Sequence, residues 1–292
     1  MTDNLLNQLE SCKICILRGV CKKLKNFIDN KDPGFKIVKI TVHQNSSDMF
    51  MDREGGYTFV NDLPHGIVGR ARRMCKSKKN THLDSLLGCL SVLMKNSELQ
   101  LDSLDIIVYH NHNTIVKWFE ELVQSKNQTH CKHVQLVAPG VQRMLSFLSH
   151  FKPEFLETII IAQNGVENSG EICKFIDIVE SEQWKRAKSI YVYSIISSNF
   201  PIENLFHLTV FCVPLGELAV SDAIKIRDIL LKSAHFEYGQ IDVKENIPQE
   251  VVRVFVPEFN DEIPRYRSRG LEFKVDQFQL TFSFNSVIIK KT

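Results

Sequence analysis

The chain alternates short apolar runs with helical stretches between about residues 100 and 245. Runs in which apolar and polar residues take turns are typical of half-buried β-strands. Successive runs, taken at Val134, Ile159, Ile190, Val210 and Phe236, lie 25, 31, 20 and 26 residues apart. A period of about 20 to 30 residues is typical of leucine-rich-repeat-like solenoids, in which each unit buries its apolar side against the next. The pattern therefore predicts an α/β array of stacked strand–helix units.

The same pattern predicts the individual elements of this array. The strands are expected at residues 101–108, 133–137, 156–161, 190–193, 208–212 and 236–243. The helices are expected near residues 82–96, 113–126, 139–151, 171–186 and 221–234, with Ser221 and Asp222 as the cap of the last one. After Val243, apolar runs at 251–256, 271–275 and 278–284 follow one another without a helix, which predicts an antiparallel meander that closes the array.

Three regions follow from these elements. Residues 1–30 have apolar residues at helical spacing and end at turn-forming residues, so we expect helices there. Residues 31–81 are expected to form a strand hairpin, with Gly55-Gly56 at its turn, and a basic linker over 61–81. Residues 82–292 would form the repeat domain with its closing meander. An ordinary doubly wound α/β sheet is the alternative architecture, but no ligand-binding loop after an early strand is visible in the sequence.

Composition points to a soluble intracellular chain without a polyanionic partner. The chain has 36 Lys and Arg against 34 Asp and Glu, a net charge of +2, so nucleic acid is not indicated. No stretch reaches the roughly 18 apolar residues of a membrane span, and the first residues lack the pattern of a signal peptide. We therefore expect no membrane association and a cytoplasmic or nuclear location. The eight cysteines are scattered, as is typical of reduced, buried thiols.

The candidate metal and nucleic-acid motifs are weak. Cys12 and Cys15 form a Cys-x-x-Cys pair, but a structural zinc site needs four ligands and no second pair exists in the sequence. The histidines at 110, 112, 130 and 133 lack a matched carboxylate or cysteine at metal spacing, which favours solvated loop residues. The basic run over 70–79 could be a nuclear signal or a nucleic-acid patch, and a solvated linker is favoured.

Sequence motifs of catalysis are missing from the chain. There is no GxGxxG or P-loop to hold phosphates, no GxSxG nucleophile elbow and no HExxH zinc helix. The sequence therefore predicts a protein that is not an enzyme, has no cofactor and takes no small-molecule substrate.

Residues 9–29 resemble the second half of an F-box. The match includes Arg18, Val20 and Cys21, followed by Leu24 and the pair Ile28-Asp29. An F-box usually opens with a Leu-Pro pair and a first short helix, which are missing from residues 1–6, so the resemblance implies an F-box truncated at its N-terminus.

Residues 82–245 resemble the FTH domain, which lies C-terminal to the F-box in a large nematode family, the F-box A proteins. Four strings that match in order carry this resemblance: 151–159, 182–188, 200–207 and 221–238. The resemblance implies a substrate-recognition subunit of a cullin–RING ubiquitin ligase of the SCF type. Such a subunit bridges a Skp-type adaptor to a protein target and catalyses nothing itself. The alternative is a protein-binding repeat module with a vestigial F-box and no ubiquitin-ligase role.

The two contacts of such a subunit are assigned to separate residues. The residues that the F-box resemblance assigns to the adaptor contact are Leu6, Leu9, Ile14, Leu17, Val20, Cys21 and Leu24. Target binding is assigned to strand residues that alternation places opposite the buried positions. These target-binding candidates are Asp105, Tyr109, Gln135, Tyr191, Tyr193 and Gln240.

Overall fold

The computed structural model describes residues 34, 36–52, 55–60, 72–76, 81–110, 112–124, 128–138, 147–163, 176–193, 200–259 and 270–292. The chain divides into two compact units, of which unit 1 ends at Leu156 and unit 2 begins at Glu157. The predicted helices at residues 1–30 lie outside the described residues.

Within the described residues, unit 1 is a mixed sheet with two long helices. Its elements are β1 (Ile37–Val42), β2 (Ser46–Met51), β3 (Gly55–Val60), β4 (Arg72–Lys76), α1 (His82–Met94), β5 (Gln100–Val108), α2 (His112–Gln124) and β6 (His130–Val137). The strands lie in the order β6-β5-β1-β2-β3-β4. The pairs β6–β5, β5–β1 and β3–β4 are parallel, whereas β1–β2 and β2–β3 are antiparallel.

Local sequence explains why these elements form where they do. In β1, Val38, Ile40 and Val42 are at most 1% exposed and alternate with more exposed residues, as expected for a strand with one buried face. Helix α1 begins with a capping box, in which the Thr81 hydroxyl accepts from the Asp84 amide at 3.1 Å and the Asp84 carboxylate accepts from the Thr81 amide at 3.0 Å. Two amides that the helix cannot pair itself are satisfied in this way.

An aromatic cluster forms much of the core of unit 1. The rings of Phe119 and Phe147 stack at a centroid distance of 4.0 Å, and Phe151 meets Phe147 edge-on at 5.0 Å. Trp118 lies next to Phe119 on α2 and donates its indole hydrogen to the Ser91 hydroxyl at 2.7 Å. This bond ties α2 to α1 and satisfies the polar atom of a largely buried ring.

Unit 2 contains the parallel strand array and the closing meander. Its elements are β7 (Thr158–Ala162), α3 (Ile176–Val179), α4 (Glu182–Arg186), β8 (Ser189–Val192), β9 (Val210–Leu215), α5 (Val220–Asp228), β10 (Tyr238–Val243), α6 (Gln249–Phe255), β11 (Leu271–Val275), β12 (Phe278–Phe282) and β13 (Ser286–Lys291), with 3₁₀ turns at Ile202–Leu205 and Leu230–Lys232. The strands lie in the order β7-β8-β9-β10-β13-β12-β11. The pairs from β7 to β10 are parallel, and the pairs from β10 to β11 are antiparallel.

The prediction of a mixed α/β protein is confirmed, and strands form in all six segments where alternation predicts them between residues 100 and 245. Two strands of the predicted meander exist as β11 and β12, and β13, which completes the meander, was not predicted. The parallel strands β7 to β10 also follow one another in chain order, without the reversal that a doubly wound sheet has between its halves.

The turn predicted for the hairpin in residues 31–81 is wrong. Gly55 and Gly56 are the first residues of β3 and pair with Met51 and Phe50. A strand that was not predicted, β2, lies between β1 and β3, and the turn that precedes it is closed by the His43 amide, which donates to the Ser46 carbonyl at 2.9 Å. Part of the predicted linker is also a strand, since Arg72–Lys76 forms β4.

Three predictions about elements in unit 2 are wrong as well. Residues 251–256 were predicted as a strand of the meander, but most of them belong to helix α6, which follows Pro248. Helix α5 is capped at Ala219, so Ser221 and Asp222 lie inside its first turn instead of at its cap. The predicted helix over 171–186 is interrupted, because α3 ends at Val179 and α4 begins at Glu182.

Candidate functional site

The sheet of unit 2 has one buried face and one partly exposed face. Ile159, Ile190, Phe211 and Ile241 point to the buried face and are fully inaccessible. The side chains on the opposite side of β7 to β10 are half-buried or exposed, and Tyr193 is 62% exposed. We call this side the outer face of unit 2, and its residues are Thr158, Ile160, Ala162, Ser189, Tyr191, Tyr193, Val210, Cys212, Pro214, Tyr238, Gln240 and Asp242.

Strand register places these residues in rows across the outer face. Tyr191 of β8 lies opposite Cys212 of β9, and Cys212 lies opposite Gln240 of β10. In the next row Asp242 lies opposite Pro214. Two predicted target-binding residues, Tyr191 and Gln240, therefore share one row with a small thiol between them.

A chain of hydrogen bonds runs along β10 on the outer face. The Tyr238 hydroxyl donates to Gln240 Oε1 at 3.0 Å. The Gln240 amide nitrogen in turn donates to both oxygens of Asp242, each at 3.1 Å. Residues two apart on a strand share a face, so these contacts hold the three side chains in a defined arrangement.

Burial raises the pKa of three groups of the outer face, Tyr191, Cys212 and Tyr238. Partial burial raises the pKa of Tyr191, and the neighbouring Cys212 and Tyr193 raise it further. Burial and the carboxylate of Asp242 raise the pKa of Cys212 to about 11. Burial raises the pKa of Tyr238, and the neighbouring Cys212 and Asp242 raise it further. The thiol of Cys212 and the hydroxyls of Tyr191 and Tyr238 therefore stay protonated at neutral pH.

The face of the unit 1 sheet that contains Asp105 has an ion pair. Asp105 lies in register with Lys39 on one side and with Gln135 on the other. Its carboxylate is 3.0 Å from Lys39 Nζ and accepts from the Ser103 hydroxyl at 2.8 Å. Asp105 is only 9% exposed. The structure thus places Asp105 on the face that alternation predicts. Its carboxylate, however, already contacts Lys39 and Ser103 within unit 1.

Tyr109 follows β5 and is 49% exposed. Its ring stacks on that of His43, with centroids 5.4 Å apart and planes 9° from parallel. His43 Nε2 lies 3.6 Å from Asp48 Oδ2, and Asp48 also accepts from the Thr58 hydroxyl at 2.6 Å. These contacts hold the Tyr109 ring over the end of β1.

The structure therefore places the predicted target-binding residues in two separate groups, one in each unit. Asp105, Gln135 and Tyr109 belong to unit 1, and Tyr191, Tyr193 and Gln240 belong to the outer face of unit 2. The residues assigned to the adaptor contact, Leu6, Leu9, Ile14, Leu17, Val20, Cys21 and Leu24, lie outside the described residues.

Among the outer-face residues that the sequence prediction missed, Cys212, Tyr238 and Asp242 lie beside or bond to the predicted ones. Alternation could have found Tyr238 and Asp242, because both have the same parity as Gln240 along β10. Cys212 could not be placed, since its position between Tyr191 and Gln240 depends on register across three strands.

No group of three or more His, Cys, Asp or Glu residues that could hold a metal ion occurs in the described part of the chain. His130 stacks on Phe155 at a centroid distance of 4.2 Å and accepts a hydrogen bond from Lys152 Nζ, so it is engaged in packing. Of the helices within the described ranges, none combines the length and apolar character needed to cross a bilayer.

Fold and surface together define a mixed α/β protein that exposes one face of a parallel strand array. A model of the FTH domain matches residues 113–258, half of the 292 residues. The chain belongs to the FTH domain family. The predicted resemblance to nematode F-box A proteins with an FTH domain is thereby confirmed.

One relative supports the same relationship. The chain is 32% identical over 179 residues to F-box A protein 224 of Caenorhabditis elegans. The match covers 58% of this chain and 44% of the relative, so the chain spans less than half of the relative's length. No solved structure matches the chain.

Proposed function

We propose that the chain is a non-catalytic substrate-recognition subunit of a cullin–RING ubiquitin ligase of the SCF type. The observation that carries this proposal is the FTH domain match together with similarity to a protein named as an F-box A protein. F-box proteins form a family of substrate adaptors, and their general role is to hold a target near the ligase. Proximity of this kind raises the effective concentration of the target and needs no reacting side chain.

Two different parts of the chain make the adaptor contact and the target contact. Residues 1–30 supply the contact with the Skp-type adaptor through the apolar side chains of the F-box resemblance, among them Leu17 and Val20. The protein target is held by an exposed sheet face, for which the tyrosines and polar residues of unit 2 are the best candidates. Tyrosine is enriched in the energetically dominant parts of protein interfaces. Such a ligase subunit would act in the cytoplasm or the nucleus.

We further propose that the strands and helices of unit 2 form a leucine-rich-repeat-like solenoid. Strands β7, β8, β9 and β10 pair in parallel in chain order. Helices or 3₁₀ turns occur in each of the three connections between them. Repeated strand–helix units of this kind leave one sheet face open for a macromolecular partner.

Binding to a purified Skp-type adaptor tests the ligase role. The full chain is expected to bind the adaptor with a Kd below about 1 µM, measured by calorimetry. Leu17→Asp is expected to weaken binding at least tenfold, because it places a charge in an apolar helix contact. Tyr193→Ala is the matched control, since it changes the outer face of unit 2 and should leave the adaptor Kd unchanged. Absence of binding, or a Kd well above micromolar, would contradict the ligase role.

The alternative function is that of a protein-binding module without a ubiquitin role. It is favoured by the short extent of the F-box resemblance, which covers only residues 9–29. Under this alternative the wild-type chain fails to bind the adaptor, while target binding still depends on the exposed sheet face. The adaptor measurement therefore separates the two functions.

A further inference from the structure

We call the strip of the outer face of unit 2 that runs along β9, between β8 and β10, the trough. The outer side chains of β9 are Val210, Cys212 and Pro214, which are small or medium in size. Cys212 lies between Tyr191 of β8 and Gln240 of β10, and Val210 lies between the small Ser189 of β8 and Tyr238 of β10. Strands are about 4.8 Å apart, so the side chains of β8 and β10 are separated by about 10 Å, which is the width of one extended polypeptide with its side chains.

The two walls of the trough differ in chemistry. On the β8 side, Tyr191 and Tyr193 lie two residues apart on the same face. On the β10 side, Tyr238, Gln240 and Asp242 are joined by the hydrogen bonds described above.

Charge on the outer face is confined to one end of the trough. Among the residues of the outer face, Asp242 is the one with a formal charge, and it lies opposite Pro214 at the end nearest Tyr193. Lys290 of the neighbouring β13 lies opposite Tyr238, at the other end. The end with Asp242 therefore attracts a cation, and an acidic or phosphorylated segment would be repelled there.

Arginine is the side chain that best complements a carboxylate beside exposed tyrosine rings. Its planar guanidinium stacks on aromatic faces and donates two parallel hydrogen bonds to a carboxylate, which an ammonium group does not do. Gln240 holds both oxygens of Asp242 in place, so the carboxylate is oriented before any partner arrives.

We infer that this trough binds an extended segment of the target protein and places an arginine of that segment between Tyr193 and Asp242. The inference rests on the proposed target-binding role of the outer face of unit 2. It adds to that role a class of ligand, an arginine-containing extended peptide, and a residue, Asp242, that determines specificity.

Two matched peptide libraries test the inference on the full chain. Both consist of fluorescent nonapeptides that are randomised among small and apolar residues, one with a central arginine and the other with a central citrulline. Citrulline keeps the shape of arginine but has no charge. The arginine library is expected to bind about tenfold more tightly, which corresponds to about 1.4 kcal/mol. Equal binding of the two libraries would overturn the inference, as would tighter binding of a third library with a central glutamate.

Variants locate the preference within the trough. Asp242→Asn is expected to abolish the difference between the arginine and citrulline libraries. Glu272→Gln is the matched control, because Glu272 is an exposed carboxylate on β11 of the same sheet and contacts Gln279. Tyr193→Ala should weaken arginine binding several-fold, whereas Tyr193→Phe should retain it because the aromatic ring remains. An unchanged preference in Asp242→Asn would contradict the assignment.

Binding of Asp242→Asn to the Skp-type adaptor keeps the two proposals apart. The variant is expected to bind the adaptor with wild-type affinity, since its substitution lies on the outer face of unit 2. An arginine preference without adaptor binding would refute the ligase role and leave the trough supported. Adaptor binding without an arginine preference would refute the trough and leave the ligase role supported.

Discussion

The ring of Phe211 occupies the space that a side chain at Gly239 would need. A Cβ atom placed on Gly239 would lie 2.7 Å from Phe211 Cζ and 3.0 Å from Phe236 Cζ. The two rings are fully buried and stack on each other with centroids 5.7 Å apart. Gly239 therefore lets two aromatic rings of unit 2 pack directly against the backbone of β10.

Gly239→Ala is expected to destabilise the protein by about 1 to 3 kcal/mol, because it overpacks a core in which neither ring can move freely. Urea denaturation followed by circular dichroism measures the change in the free energy of unfolding. Gly88→Ala is the matched control: nothing lies within 4 Å of a Cβ at this exposed position of α1. It should stabilise the helix by about 0.5 to 1 kcal/mol. A loss of stability at Gly88 similar to that at Gly239 would contradict the packing explanation.

His150 should make the stability of unit 1 depend on pH. Burial lowers the pKa of His150 to about 4, and its Nε2 lies 3.2 Å from the Thr129 hydroxyl. The unfolded chain binds a proton near the ordinary pKa of about 6.5, so stability is complete above that pH and falls as the pH drops towards 4. The loss at pH 5 is about 2 kcal/mol for this group.

His150→Gln removes the contribution of His150 alone. His207, whose pKa is also lowered, remains in the variant and contributes equally to both proteins. The difference between the unfolding free energies at pH 7 and pH 5 should be smaller in His150→Gln than in the wild type. An identical difference in the two proteins would show that His150 is not buried as described.

Cys212 should react slowly with alkylating reagents in the native protein. Its pKa of about 11, against an ordinary value of 9.0, reduces the thiolate fraction at neutral pH about a hundredfold. Mass spectrometry of the peptide that contains Cys212, after timed exposure to iodoacetamide, measures the rate. Denaturant should restore the ordinary rate, and a native rate equal to the denatured one would contradict the described environment of this thiol.

Thr81→Ala should cost about 1 kcal/mol of stability, because it removes the side chain that caps α1. Thr81→Ser retains the hydroxyl and should cost only a few tenths of that amount. Thermal denaturation of the two variants under the same conditions distinguishes loss of the cap from loss of a methyl group. Equal stability of the alanine and serine variants would exclude a contribution from the capping bond.

Alternation of apolar and polar residues predicts the strands well, because one side of each sheet is buried. It fails at β2, where the inward-facing Ser47 is polar and hides the pattern. Ser47 is accepted in the core because its hydroxyl is 2.8 Å from His82 Nδ1 of α1. This partner is 35 residues away in sequence and could not be predicted from local pattern.

At helix α6 (Gln249–Phe255) the error is the opposite one, because the pattern predicts a strand where a helix forms. Its valines favour a strand by propensity, but Val251, Val252 and Phe255 share one buried helical face. Pro248 at the N-cap was the available signal, since proline is common where a helix begins. The trough on the outer face could not be predicted, because it depends on which residues of β8, β9 and β10 lie side by side, and register is set by the packed sheet.

The role as a ligase subunit is tested most directly by comparing ubiquitinated proteins in cells that express the wild-type chain, the Leu17→Asp variant or the double variant Tyr193→Ala with Asp242→Asn. Quantitative mass spectrometry of ubiquitin-modified peptides identifies the proteins whose modification depends on the chain. One set of proteins is expected to lose modification in both variants, because adaptor contact and target contact are needed together. An unchanged set in Leu17→Asp would contradict the role as a ligase subunit.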